Sequence, residues 1–188
     1  MDMELYRHAQ DEFEKALAAV APSDWDRPST CPGWTVRDIA GHVTWAQRQL
    51  LAWATGAADP SPAGAPGAAH PADVLTTDDP LAEYRAARAE ANAVLTEKTL
   101  ARLTTIPGMG EVPIAAVVAL LLCDTTVHTW DLGHPVGQKI DLPAPLVAAA
   151  DEWARAHMVR APGFFGPELT PADDADAQTR MLAFVGRA

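Results

Sequence analysis

Cysteine, basic residues and long uncharged apolar runs are all scarce in this chain, and each shortage removes a class of function. Only Cys31 and Cys123 occur. They form no spaced pair, which excludes a disulfide framework and a thiolate zinc site and predicts that both are packing residues. Lys and Arg number 14 against 25 Asp and Glu, a formal charge of -11 with a sequence pI near 4.8. Nothing in such a balance offsets phosphate repulsion and no Lys/Arg cluster stands out, so nucleic acid and anionic membrane surfaces are poor partners. No window of about 18 apolar residues is free of charge. The opening Met1-Asp-Met-Glu lacks the basic-then-apolar order of a signal peptide, so a cytoplasmic protein is expected. Internal repeats, GxGxxG, a phosphate loop and a Ser/His/Asp constellation are all missing.

What is present is enough to bury a core: 188 residues, 48% of them hydrophobic, argue for one domain with at most a short appendage. Residues 2 to about 20 form an amphipathic helix on Leu5, Ala9, Phe13, Ala16, Leu17 and Val20, with His8 on its solvated side. A proline-rich linker from Ala21 to Gly33 delivers Cys31-Pro-Gly-Trp34 to a second helix. Thr35 and Asp38 read as its capping box, and it runs to about Thr55. Gly56 to Asp79 is rich in Ala, Pro and Gly, a poor packer and an expected mobile excursion; His70 within it has no assigned role. Asp79-Pro80 then caps a third helix expected to reach about Leu100, and short extended pieces fill 101–113. The fourth helix runs from Pro113 to Asp131 and is ended by Gly133 and Pro135. A fifth spans about Pro143 to Arg160. An extended tail follows, with Phe164 and Phe165 anchoring it and a last short helix between Asp176 and Val185. The expected fold is all-α, a four-helix bundle with an extra C-terminal helix and an extended tail.

The fourth helix carries the chemistry. Its apolar stripe Ile114, Val117, Val118, Leu121 continues, by the 3.6-residue period, onto Asp124, Thr125 and His128. An unpaired buried carboxylate costs several kcal/mol, so it requires a partner. Asp124 and His128, at i and i+4, lie one above the other on the helix face, where their heads converge on one cation or simply hydrogen-bond to each other. His42, at the border of the second helix's apolar face, completes an N, N, O donor set. Such a set suits a first-row divalent ion with one position left for water or substrate. Asp131 is placed to orient a ligand imidazole from behind. His134 is the candidate for a fourth ligand that would close the site, and Trp34 and Trp45 are candidates to wall a pocket.

Around these residues, Cys31-Pro-Gly-Trp-Thr-Val-Arg-Asp-Ile-Ala-Gly-His42-Val and Asp124-Thr-Thr-Val-His128-Thr-Trp-Asp-Leu resemble the metal-binding domain of the mycothiol-dependent maleylpyruvate isomerase family, within the DinB-like superfamily. The closing Pro162-Gly-Phe-Phe-Gly-Pro-Glu, Pro171-Ala-Asp and Gln178-Thr-Arg-Met-Leu-Ala are similar to a stand-alone actinobacterial subgroup. The resemblance implies a DinB-like bundle over residues 1–160, a packed tail over 161–188, and a metal held by His42, Asp124 and His128. That metal is Zn2+ or, alternatively, Ni2+. It also implies mycothiol as co-substrate and a transferase or isomerase reaction on a small electrophile through a metal-bound thiolate, in a possible homodimer. The isomerase's acidic ligand is a glutamate where Asp124 stands, one methylene shorter. The isomerase also has a second domain with no counterpart of comparable size after residue 160, so a substrate other than maleylpyruvate is expected. Metal-assisted hydrolysis and a non-catalytic metal-binding bundle are the alternative readings.

Overall fold

A computed structural model describes residues 2–106, 110–160 and 165–188. Helices α1 (Met3–Ala18), α2 (Val36–Thr55), α3 (Pro80–Ala93) and α5 (Ile114–Gly133) form the bundle. Each packs on two others in a ring, α1 on α5, α5 on α2, α2 on α3 and α3 on α1, so all four apolar stripes meet in one interior. Helix α6 (Ala144–His157) lies outside the ring against α5 and α1, and α7 (Ala177–Phe184) covers α6. Phe165 packs on this outer layer; Phe164, its expected companion, falls outside the described residues.

The start of α2 follows the sequence closely. Thr35 accepts from the Asp38 backbone N–H, and the Asp38 carboxylate accepts from the Thr35 N–H at 2.8 Å, closing the capping box. The third helix is shorter than its periodicity suggests. It stops at Ala93 with Val94 as cap, and Thr96 starts a separate single turn, α4 (Glu97–Leu100), by accepting from the Thr99 N–H. A threonine side chain that captures a backbone donor offers the chain an alternative to the continued helix, and here it prevails. The extended pieces after α4 pair as a two-stranded antiparallel hairpin, β1 (Leu103–Ile106) and β2 (Gly110–Pro113). Helix α5, with the 3-10 turn after it, is long and apolar enough to cross a membrane, yet two thirds of its most apolar window (67%) is buried inside the bundle.

A polar network threads the interior. Tyr6 and Gln10 of α1 donate to Gln47 Oε1 of α2 at 2.9 and 2.8 Å, and Asn92 of α3 donates to Gln10 Oε1 at 2.9 Å. At the surface Arg85 and Arg88 reach Glu14 from α3, and Arg88 also bonds Asp11. Although Gln47 Nε2 is left without a partner, a buried network of this kind favours one arrangement of neighbouring helices, because other pairings would strand more polar groups.

The 56–79 segment was expected to pack poorly, yet part of it packs against α2. Two 3-10 turns, Pro62–Gly64 and Pro71–Val74, lie along α2, burying Gly64, Pro71 and Val74. Glycine makes this possible at two places. A Cβ on Gly41 would collide with the Pro71 carbonyl, and one on Gly64 would collide with the Trp45 side chain. Composition alone reads as looseness, whereas the small residues serve close approach.

Candidate metal centre

His42 leaves α2 and Asp124 and His128 leave α5 where those two helices face each other. Nε2 of His128 lies 3.4 Å from Oδ1 of Asp124, and Nε2 of His42 lies 3.7 Å from the same oxygen. The two imidazoles stand nearly edge to face, 4.9 Å between centroids. One donor atom from each of the three residues falls within 4.8 Å of the others. Residues separated by more than eighty positions in sequence are thus brought to one point.

The other nitrogen of each ring is held from behind. Nδ1 of His42 is 2.7 Å from the Gly64 carbonyl oxygen, and Nδ1 of His128 is 2.9 Å from Oδ2 of Asp131. A carbonyl and a carboxylate only accept, so each Nδ1 carries a proton and each Nε2 faces Asp124 as the ring atom open to a cation, a proton or a metal. This arrangement orients two imidazoles for a cation. Asp124 Oδ1 lies near both rings, while Oδ2 is buried with no hydrogen-bond partner. An orphaned carboxylate oxygen beside two inward Nε2 atoms is what a divalent ion would satisfy, and the N, N, O set has the hardness of a zinc or nickel site.

The electrostatics of the cluster agree. Burial alone would push the Asp124 carboxyl up, but the His128 and His42 imidazoles outweigh it and hold the group far below the usual carboxylate range. Burial alone would make His128 give up a proton easily, yet Asp124 first, then Asp131 and Cys31, raise it well above an ordinary histidine. Without an ion, therefore, a proton serves as the shared cation. A metal would replace it.

Asp131, expected behind a ligand ring, is there, and its own support is more elaborate than the sequence suggested. It is fully buried and accepts from five donors: His128 Nδ1, the Thr30 hydroxyl, the Cys31 thiol at 3.2 Å, and both Nε and Nη2 of Arg187 at 2.9 Å. Burial would raise its pKa, but Arg187 and His128 keep the carboxyl strongly depressed. Cys31, His128 and Asp131 also cluster closely enough to suggest a second ion site. With Arg187 across both carboxylate oxygens, that cluster is a hydrogen-bonded support instead. Cys31 does more than pack, since its sulfur also accepts from Arg187 at 3.2 Å; burial first, then Asp131, raises its thiol pKa. Cys123 is a buried core thiol, as expected.

Two contributors were invisible in the sequence. The Gly64 carbonyl is a backbone atom in a segment read as loose. Arg187 lies 56 residues from Asp131 with no periodicity linking them; its only signal was a lone cation near the end of an otherwise apolar stretch. His134, the candidate fourth ligand, instead stacks on Trp130 with centroids 4.1 Å apart and does not join the donor group. His8 is half exposed beside Glu12, and His70 is an exposed residue preceding a turn.

The triad forms the floor of a cavity of about 820 Å³. Trp34 walls it, its indole 5.1 Å from the His42 ring and fixed by a 2.8 Å bond from Nε1 to the Ala68 carbonyl. Trp45 does not line it; it lies behind, stacked on His42 at 6.0 Å within the core. Residues 66–69 close one side, and Arg160, Phe165 and Arg187 another. A volume of this size holds a small organic molecule together with a second reactant.

The family described as mycothiol maleylpyruvate isomerase N-terminal domain matches residues 6–133. Two uncharacterized proteins of Mycobacterium tuberculosis, MT0763 and Rv0738, are each 29% identical to this chain, over 97% of it and 95% of their own length. Among solved structures, a mycothiol-dependent maleylpyruvate isomerase and a histidine-to-alanine mutant of it share the fold at a TM-score of 0.61 and 19% identity. The match covers 81% of this chain and 70% of theirs.

Proposed function

The chain belongs to the mycothiol maleylpyruvate isomerase N-terminal domain family, and on that premise we propose that it is a divalent-metal enzyme. In this reading it uses a low-molecular-weight thiol, mycothiol, to conjugate or isomerise a small electrophile. His42, Asp124 and His128 would hold the ion, zinc or alternatively nickel. The observation that carries the reading is the pair of inward-facing Nε2 atoms beside an unpartnered Asp124 oxygen, lining an open cavity.

When bound, a divalent ion supplies Lewis acidity, which lets a thiol lose its proton near neutral pH without a catalytic cysteine. The chain's own residues supply the rest. Gly64 and Asp131 fix the two imidazoles so that neither turns its N–H toward the ion. Trp34 offers an apolar wall that excludes water from one side of the cavity and positions a flat or aliphatic reactant. Three protein ligands leave room for a reactant, as in catalytic sites; a structural ion would be enclosed by a fourth, and His134 is turned away to Trp130.

Elemental analysis of untagged protein is expected to find one equivalent of zinc or nickel, and His42→Ala and Asp124→Ala to lose it. Calorimetric titration of the metal-loaded protein with mycothiol, followed by assays on a panel of electrophiles that includes maleylpyruvate, tests the reaction. Protein with no stoichiometric ion and no response to His42→Ala overturns the metal reading. Loaded protein that neither binds mycothiol nor turns over any electrophile overturns the thiol reading.

A further inference from the structure

We propose that Arg187 is a positioning residue for the metal centre: through Asp131 it locks the His128 ring, so that the segment after α7 completes a site whose ligands all lie on α2 and α5. This inference rests on the metal reading above and adds a residue to it.

Four observations carry it. Arg187 is 7% exposed, and burial of so polar a side chain is costly unless it is fully engaged. Its engagement is specific: Nε and Nη2 straddle the two Asp131 oxygens, each at 2.9 Å, the planar two-point pairing that lysine cannot reproduce. Nη1 is tied to the Val185 carbonyl at 3.1 Å, so the guanidinium is held in one orientation by its own backbone. Asp131 in turn is the acceptor for His128 Nδ1. The chain of contacts Val185, Arg187, Asp131, His128 therefore runs from the end of α7 to the ring that faces Asp124.

The connection is one of geometry. An Asp131 freed from Arg187 keeps only the Thr30 and Cys31 donors besides His128, both on the same short loop, and has room to rotate about its side chain. The imidazole it steadies would then swing with it. Arg187 lies outside the stretch, residues 6–133, that matches the family model, so the support reaches the site from the remainder of the chain.

The test compares Arg187→Gln and Arg187→Lys with wild type by three readouts. Competition with a chelator is expected to show zinc affinity falling about 10- to 100-fold in Arg187→Gln, and Arg187→Lys, which keeps the charge but not the fork, should lie between. The absorption bands of cobalt-substituted protein should shift in Arg187→Gln, reporting altered ligand geometry while far-UV circular dichroism stays unchanged. In metal-free protein, proton–nitrogen correlation spectra of the imidazoles should show a protected Nδ1–H on His128 in wild type and its loss in Arg187→Gln. Wild-type zinc affinity together with an intact Nδ1–H signal in Arg187→Gln overturns the proposal. Wild-type protein that takes up no metal overturns the reading beneath it, and the imidazole spectra then still decide whether Arg187 holds His128. If Arg187→Gln fails to fold, Arg187→Lys decides by the same readouts: wild-type zinc affinity with an unchanged Nδ1–H signal in it overturns the proposal.

Discussion

His42 and His128 each face two ways, toward Asp124 with one nitrogen and toward a fixed acceptor with the other, and the acceptors differ in how readily they can be disturbed. The one behind His42 is the Gly64 carbonyl, and Gly64 has no room for a side chain because Trp45 fills that space. Gly64→Ala is therefore expected to lower stability by about 1–3 kcal/mol, the usual penalty of overpacking, and to weaken zinc binding by displacing the carbonyl. Urea unfolding and chelator competition measure the two effects separately. A second residue, Glu83, lends itself to a pH test. Burial alone would raise its pKa, but the Arg48 guanidinium at 2.7 Å and the backbone N–H groups of Thr77 and Thr76 outweigh burial and leave it lowered. A lowered folded-state pKa means the contribution is complete above the unfolded value, about 4.3, and is lost as pH falls through the folded one. Glu83→Gln should thus unfold more easily than wild type at pH 7, by about 2 kcal/mol for charge-assisted hydrogen bonds. That gap should close on acidification below the ordinary glutamate range, as followed by thermal melts across pH.

Helix α2 is the element that places His42, and its first turn anchors both the helix and the 56–79 segment. Asp38 closes the capping box and, with its other oxygen, accepts from the Ala72 N–H at 3.0 Å. Thr35→Ala removes only the cap and should cost about 1 kcal/mol. Asp38→Ala should cost more, since it also frees the turn at Pro71–Val74, and limited proteolysis should then cut within 56–79 while sparing the Thr35 variant. Much of α2 and α5 was legible beforehand, because their apolar stripes repeat every 3.6 residues and a polar residue on such a stripe is conspicuous. His42, Asp124, His128 and Asp131 all stood out in that way. The Gly64 carbonyl did not, since a backbone acceptor leaves no mark on residue type. The break after α3 escaped because Thr96 competes for the backbone with no change in the apolar pattern, and the compact 56–79 segment escaped because glycine reads the same whether it loosens a chain or lets two parts of it touch.

Across the whole molecule, α2 and α5 bring His42, Asp124 and His128 to the cavity, and residues flanking the outer layer, Arg160, Phe165 and Arg187 among them, line it as well. Met181, Leu182 and Val185 are buried against α6, which ties that layer to the bundle. Removing residues 177–188 exposes their partners on α6 and should lower stability by roughly 5 kcal/mol at about 1.5–3 kcal/mol for each buried side chain. Dye binding to the uncovered apolar surface and a lowered melting temperature are the measurements, and the loss should exceed that of Arg187→Gln alone. The long reach from Arg187 to Asp131 explains why this layer's part in the site was not legible: two oppositely charged residues 56 positions apart carry no sign of having met.

The cavity wall is unusual in what it lacks. Gly33, Gly67, Gly166 and Gly186, with Pro32, Pro66 and Pro167, make up much of it. Along those stretches a visiting molecule meets peptide groups, whose layout is set by the course of the chain. A bulky side chain in place of one of these glycines would project into the way of anything entering, where now there is only backbone.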